Sequence, residues 1–156
     1  MVCQHNLPDV LKALLDLKVN INQKDQYQIT PLITAATFNS VECVKILVSE
    51  GANLNILNRM HNTALHVAAL NNNMEVAKYL VEQKADIMRK NCETKTCLDL
   101  AEDRELQEMY DMLEVYFNRE QMWRNRNCLL KIYLNKERTM FKNLSYGVFK
   151  EIIKYA

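Results

Sequence analysis

Thr63 to Gln83 reads TALHVAALNNNMEVAKYLVEQ, and this stretch decides the fold. Thr63 is a good N-cap for a short helix over Ala64 to Leu70, whose small residues let neighbouring helices approach closely. Asn71, Asn72 and Asn73 then break it, because Asn tolerates the left-handed backbone that a tight helix-to-helix turn requires. A second helix is predicted from Met74 to about Gln83, with Val76, Ala77, Leu80 and Val81 at i, i+1, i+4 and i+5. One two-helix unit cannot hide that stripe. Units of this kind must stack, and their stability comes from the interfaces between neighbours.

Working outward, the same pattern recurs at a fixed step. Thr30-Pro31-Leu32, Thr63-Ala64-Leu65 and Thr96-Cys97-Leu98 lie 33 residues apart. So do Asn20, Asn53 and Asp86, then Asp25, Asn58 and Asn91, Ala35, Ala68 and Ala101, Leu14, Leu47 and Leu80, and Lys12, Lys45 and Lys78. Pro31 sits where a missing amide costs nothing. Ala52-Asn53-Leu54-Asn55 and Ala85-Asp86-Ile87-Met88 lead from each second helix into a polar tip, an extended finger rather than a true sheet.

The period, the Thr-Pro-Leu-Ile and Thr-Ala-Leu-His openings, the Ala35-Ala36 and Ala68-Ala69 pairs and Gly51-Ala52-Asn53-Leu54-Asn55 resemble the ankyrin repeat. The resemblance implies an all-α solenoid of helix-turn-helix units with finger loops over residues 2–117, followed by a helical extension. The units are 2–24, truncated, then 25–57, 58–90 and a degenerate 91–117. The family's tip glycine is Gln28, His61 and Thr94 here, and the glycine closing the outer helix is Lys18, Gly51 and Lys84. Each side chain at such a positive-φ position costs about 1 kcal/mol, so moderate stability is expected. His66, the lone survivor of the opening motif, reads as a local hydrogen-bonding brace and not as a catalytic base. Subtracting one period from Ala35 to Asn39 lands on Val2 to Asn6, so the chain starts inside an inner helix, with Val10, Leu11, Leu14 and Leu15 in its first unit and no polar cap. Either the chain is the tail of a longer repeat protein, or a partner covers that edge.

Length and composition bound the rest. The chain has 156 residues, 49% hydrophobic, with 20 Lys plus Arg against 19 Asp plus Glu, so it affords one core and has no field to attract nucleic acid. Two Gly and two Pro disfavour a turn-rich β fold. Five scattered cysteines (Cys3, Cys43, Cys92, Cys97 and Cys128) suit a reducing compartment as buried or half-buried thiols, and His5, His61 and His66 form no metal-type pair with them. No leader peptide or membrane-spanning run is read, so a cytoplasmic or nuclear location is expected.

Residues 118–156 read as a helical cap or tail. Arg119, Trp123, Arg124, Arg126, Lys131, Lys136, Arg138 and Lys142 make 118–142 basic and aromatic, but Glu120 and Glu137 interrupt it and Glu102 to Glu114 is acidic, so a solvated helical linker is favoured over a nucleic-acid site. Trp123 with Leu129, Leu130, Ile132 and Tyr133 is expected to pack over the last repeat. Leu144, Val148, Phe149, Ile152, Ile153 and Ala156 form one amphipathic stripe. It resembles the first helix of an F-box, with Ser145 where that family has proline; the resemblance implies docking through Leu144, Val148, Phe149, Ile152 and Ile153 to a Skp-type subunit of a cullin ubiquitin ligase, against the plainer reading of a structural cap.

For function, the ankyrin resemblance implies a non-catalytic protein-binding module, scaffold or assembly subunit, with a place in a larger complex or as a ligase substrate adaptor as alternatives. No nucleophile with a nearby base, phosphate loop or metal spacing is present in the sequence, and no cofactor is implied. Carried over position by position, the partner-binding face is Gln26, Tyr27 and Ile29, then Arg59, Met60 and Asn62, then Cys92, Glu93 and Lys95, with Thr37, Phe38, Leu70 and Asn71 from the inner helices.

Overall fold

The computed structural model describes Cys3 and residues 7–136, with the side chains of Met122 and residues 125–136 left aside. Among the described residues seven helices follow one another: α1 (Pro8–Asp16), α2 (Pro31–Thr37), α3 (Val41–Ser49), α4 (Ala64–Leu70), α5 (Met74–Glu82), α6 (Cys97–Asp103) and α7 (Gln107–Lys136). No strand occurs among the described residues. Both series of helices start in phase: 31, 64 and 97 for the short inner ones, 8, 41, 74 and 107 for the outer ones. Inner helices stack α2 on α4 on α6, outer helices stack α1 on α3 on α5, and α2 with α3 and α4 with α5 form antiparallel layers. The layered solenoid inferred from the sequence is what the chain forms.

The reasons are local and repeat with the period. Thr30, Thr63 and Thr96 are extended N-caps whose hydroxyls accept from the amides of Ile33, His66 and Asp99, and Pro31 opens α2. Asn39, Asn72 and Glu105 take positive φ between inner and outer helices, at 52°, 55° and 57°. That turn lets the amides of Ser40, Asn73 and Leu106 donate to Ala35, Ala68 and Ala101, each at 2.9 Å. The finger tips and outer-helix ends adopt the left-handed backbone expected of them: Gln28, His61 and Thr94 at 60°, 57° and 62°, Lys18, Gly51 and Lys84 at 55°, 85° and 69°.

The core is a column of equivalent positions. Cys43, Val76 and Met109 share one register and Leu47, Leu80 and Leu113 the next, and all six are fully buried. Each shielded side chain of this size contributes roughly 1.5–3 kcal/mol. Because Met109 and Leu113 keep the pattern, the start of α7 is the outer helix of the third layer despite its degenerate sequence. Side chains also stitch layer to layer: Asn22 and Asn55 Oδ1 accept from the Asn53 and Asp86 amides at 2.9 and 3.1 Å, and Asn73 Nδ2 donates to Ala36 O at 2.7 Å. One period earlier, Ser40 Oγ donates to Cys3 O at 2.6 Å, so Cys3 occupies its inner-helix slot in register; the other residues read there, Val2 and Gln4 to Asn6, lie outside the described set.

Chain contacts define two compact units, the first ending at Val115 and the second starting at Tyr116. The sequence reading ends the repeats near Phe117; α7 spans that position as one helix, since Gln107 to Lys136 holds neither Gly nor Pro to stop it. Trp123, expected to be covered, is 60% exposed on α7. The side chains of Leu129, Leu130, Ile132 and Tyr133, and the whole stretch holding Leu144, Val148, Phe149, Ile152 and Ile153, lie outside what is described. Among the described residues no helix is long and apolar enough to cross a membrane.

Candidate binding face

Each finger is built round one acidic or amide side chain. Asp25 Oδ1 accepts from the amides of Tyr27 and Ile29 (2.8 and 2.8 Å), Asn58 Oδ1 from Met60 and Asn62 (2.9 and 3.0 Å), and Asn91 Oδ1 from Glu93 and Lys95 (2.9 and 3.1 Å). Across each base a backbone bond closes the loop: Asp25 to Ile29, Asn58 to Asn62 and Asn91 to Lys95, all at 3.0 Å. Three bonds on so few residues remove the freedom a loop would otherwise lose on binding.

These loops put the expected side chains in distinct settings. Gln26, Tyr27, Arg59, Met60, Cys92 and Glu93 are exposed at the tips, and Thr37, Phe38 and Asn71 are exposed at the inner-helix ends. Tyr27 and Met60, one period apart, leave 56% and 55% of their surface in solvent. Ile29, Leu70 and Lys95 are half-buried. Asn62 departs from expectation: it is buried, and its Oδ1 accepts from Asn91 Nδ2 at 3.1 Å, a brace between the second and third fingers. The Cys92 amide donates to Met60 O at 3.1 Å beside it. Cys92 also departs from the expectation of a buried or half-buried thiol, because its place at a tip exposes it, whereas Cys3, Cys43 and Cys97 are buried.

Met60, Asn62, Leu70, Cys92, Glu93 and Lys95 line a single groove of ≈ 390 Å³ between the second and third layers. Asn91, Leu100, Asp103 and Arg104 complete its wall. The period would have named two of these, since Asp103 and Arg104 follow Leu70 and Asn71 by 33 residues. Lys95 Nζ sits 2.8 Å from Asp103 and 3.4 Å from Glu93, and the Asp103 hydrogen bond raises its pKa. Exposed pairs of this kind add little stability, but they orient the ammonium group. Gln26, Tyr27, Ile29, Thr37, Phe38, Arg59 and Asn71 lie outside that groove, and Ile29 lines a second one with Pro31 and Thr34.

Titratable groups in the repeats act as structural braces. His66 is fully buried; its Nδ1 is 2.8 Å from Thr63 Oγ1 and accepts the Thr63 amide at 3.3 Å, which leaves Nε2 to donate to Lys95 O at 3.3 Å. Burial lowers its pKa, keeping the ring neutral. Burial likewise pushes the Cys97 thiol up to about 12 and Cys3 to about 11, so neither offers a thiolate. Among the described residues no group of His, Cys, Asp or Glu is arranged to hold a metal ion.

The model of three consecutive ankyrin repeats matches residues 1–91. No curated protein matches the chain.

Proposed function

The chain belongs to the ankyrin-repeat family, and we propose that it is a non-catalytic module that captures a protein partner along its fingers and inner-helix ends. The observation that carries this reading is the pair Tyr27 and Met60, large side chains held in solvent at equivalent tips of pre-organised loops. Aromatics, Met and Arg dominate interface energetics, and Phe38 and Arg59 add to the set. The column changes along the stack: Tyr27, Met60, Glu93 at the tips and Thr37, Leu70, Asp103 at the helix ends. The partner therefore meets apolar anchors on the first two layers and a charged rim on the third.

Replacing Tyr27 and Arg59 together by Ala tests the reading. Affinity purification followed by crosslinking mass spectrometry is expected to recover less partner with the double variant than with the parent chain. The thermal melt should not move, because both side chains are exposed. Equal recovery of the partner counts against this face.

A further inference from the structure

The groove between the second and third layers changes character where the third layer begins. At the register of Tyr27 and Met60 the third finger carries Glu93, and at the register of Thr37 and Leu70 the third inner helix carries Asp103. Finger and helix end thus each put a carboxylate where the two layers before them are uncharged. Both reach the same ammonium, since Lys95 Nζ lies 3.4 Å from Glu93 and 2.8 Å from Asp103. One cation between two anions leaves a negative charge over, on side chains that keep 55% and 49% of their surface in solvent.

Arg104 also lines the wall, but Glu102, Asp103 and Glu105 flank it along the chain. The balance of the whole third layer decides the sign. Residues 84–115 hold nine carboxylates against five cations, whereas residues 7–83 hold seven against six. The phenol of Tyr110 registers this field, its pKa raised by Glu114 above all. Arg59, exposed at the tip of the second finger, carries the opposite sign one layer earlier. A ligand cation is therefore steered away from the second finger and onto the third layer.

The second layer supplies the apolar part of the groove, with Met60 at the finger tip and Leu70 at the helix end. Packed helices lie about 8–10 Å apart and an extended peptide advances about 3.3 Å per residue, so neighbouring layers are about three peptide residues apart. We propose that the groove takes an extended segment of a protein partner in which a large apolar residue, seated at Met60 and Leu70, stands about three positions from a Lys or Arg seated at Glu93 and Asp103. This rests on the partner-capturing face proposed above and adds to it a sign and a spacing.

Phage-displayed random dodecapeptides selected on the full chain test it. The selection should enrich a Lys or Arg about three residues from a large apolar residue. By fluorescence anisotropy, a synthetic peptide of that pattern should bind about tenfold more tightly than its counterpart with Glu in place of the cation. Glu93→Lys with Asp103→Lys should reverse the preference. No enrichment, enrichment without a cation, equal binding of a scrambled peptide, or a preference unmoved by the charge reversal overturns the proposal. Tyr27→Ala with Met60→Ala keeps the two failures apart. Acidic or uncharged peptides lost with that pair overturn the charge assignment alone, whereas peptides indifferent to both pairs of changes overturn the finger face as well. All four positions are exposed, and circular dichroism melts confirm that each variant is folded. In crosslinking of the free chain, Lys95 joined to Lys131 or Lys136 would make the chain's own basic stretch the occupant, which also overturns an external partner.

Discussion

Ile33, His66 and Asp99 occupy one position in three successive layers, the third residue of each inner helix. Behind each stands the same threonine cap, so the three layers compare what a single side chain adds. Ile33 contributes its amide to the Thr30 hydroxyl and returns no bond from its side chain. Asp99 returns two: its Oδ2 accepts from the Thr96 amide at 2.7 Å and the hydroxyl at 2.8 Å. His66 closes the same box and, with its second nitrogen, reaches Lys95 O in the next finger. A carboxylate only accepts, whereas a neutral imidazole accepts with one nitrogen and donates with the other. The middle layer is thus tied both to itself and to its neighbour.

Removing His66 breaks this comparison most severely. His66→Ala empties a fully buried site and leaves the Thr63 amide and Lys95 carbonyl without their partner, so a loss of about 3 kcal/mol is expected in urea unfolding. Acid separates the two layers next. His66 has a folded pKa below its ordinary 6.5, so its contribution is complete above 6.5 and is lost as pH falls from there through the lowered value. The Thr96 amide holds Asp99 below 3.8, so its contribution is complete above 3.8 and is lost only as pH falls through its own lower value. Stability measured against pH should show the upper step in the parent chain and lack it in His66→Gln.

Smaller effects sharpen the contrast. Asp99→Ala removes both bonds of the carboxylate to Thr96, at an exposed site, and should cost about 1 kcal/mol, well under the His66 loss, by the same unfolding assay. At the tips the sign reverses. Thr94→Gly relieves a β-branched residue at φ 62° and should raise stability by about 1 kcal/mol, and Gln28→Gly, unbranched at φ 60°, by about 0.5 kcal/mol. Calorimetric melting midpoints should rank the two in that order.

Most of the architecture was legible because it is written locally and repeated. The helix Ala64–Leu70 follows from its Thr63 cap and asparagine stop, and the left-handed tips follow from where glycine is missing. Features that depend on a neighbouring layer were harder to read. Asn62 looks like a surface amide within its own finger, and only the arrival of Asn91 from 29 residues away buries it. The charged wall at Lys95 has the same origin, since Asp103 and Glu93 converge on it from helix and finger. Trp123 had least to go on for another reason: an aromatic in a helical sequence carries no sign of which side is covered, and this one is 60% exposed.

The side-chain bonds between layers join residues 29 to 37 positions apart, from Ser40 with Cys3 to His66 with Lys95. Ordering one layer on another therefore never requires the polymer to close a larger loop than this, and each added layer meets nearly the same entropic toll. Such a chain can begin folding at its most connected joint, around His66, and spread in both directions like a zip, with its ends as the first places to fray.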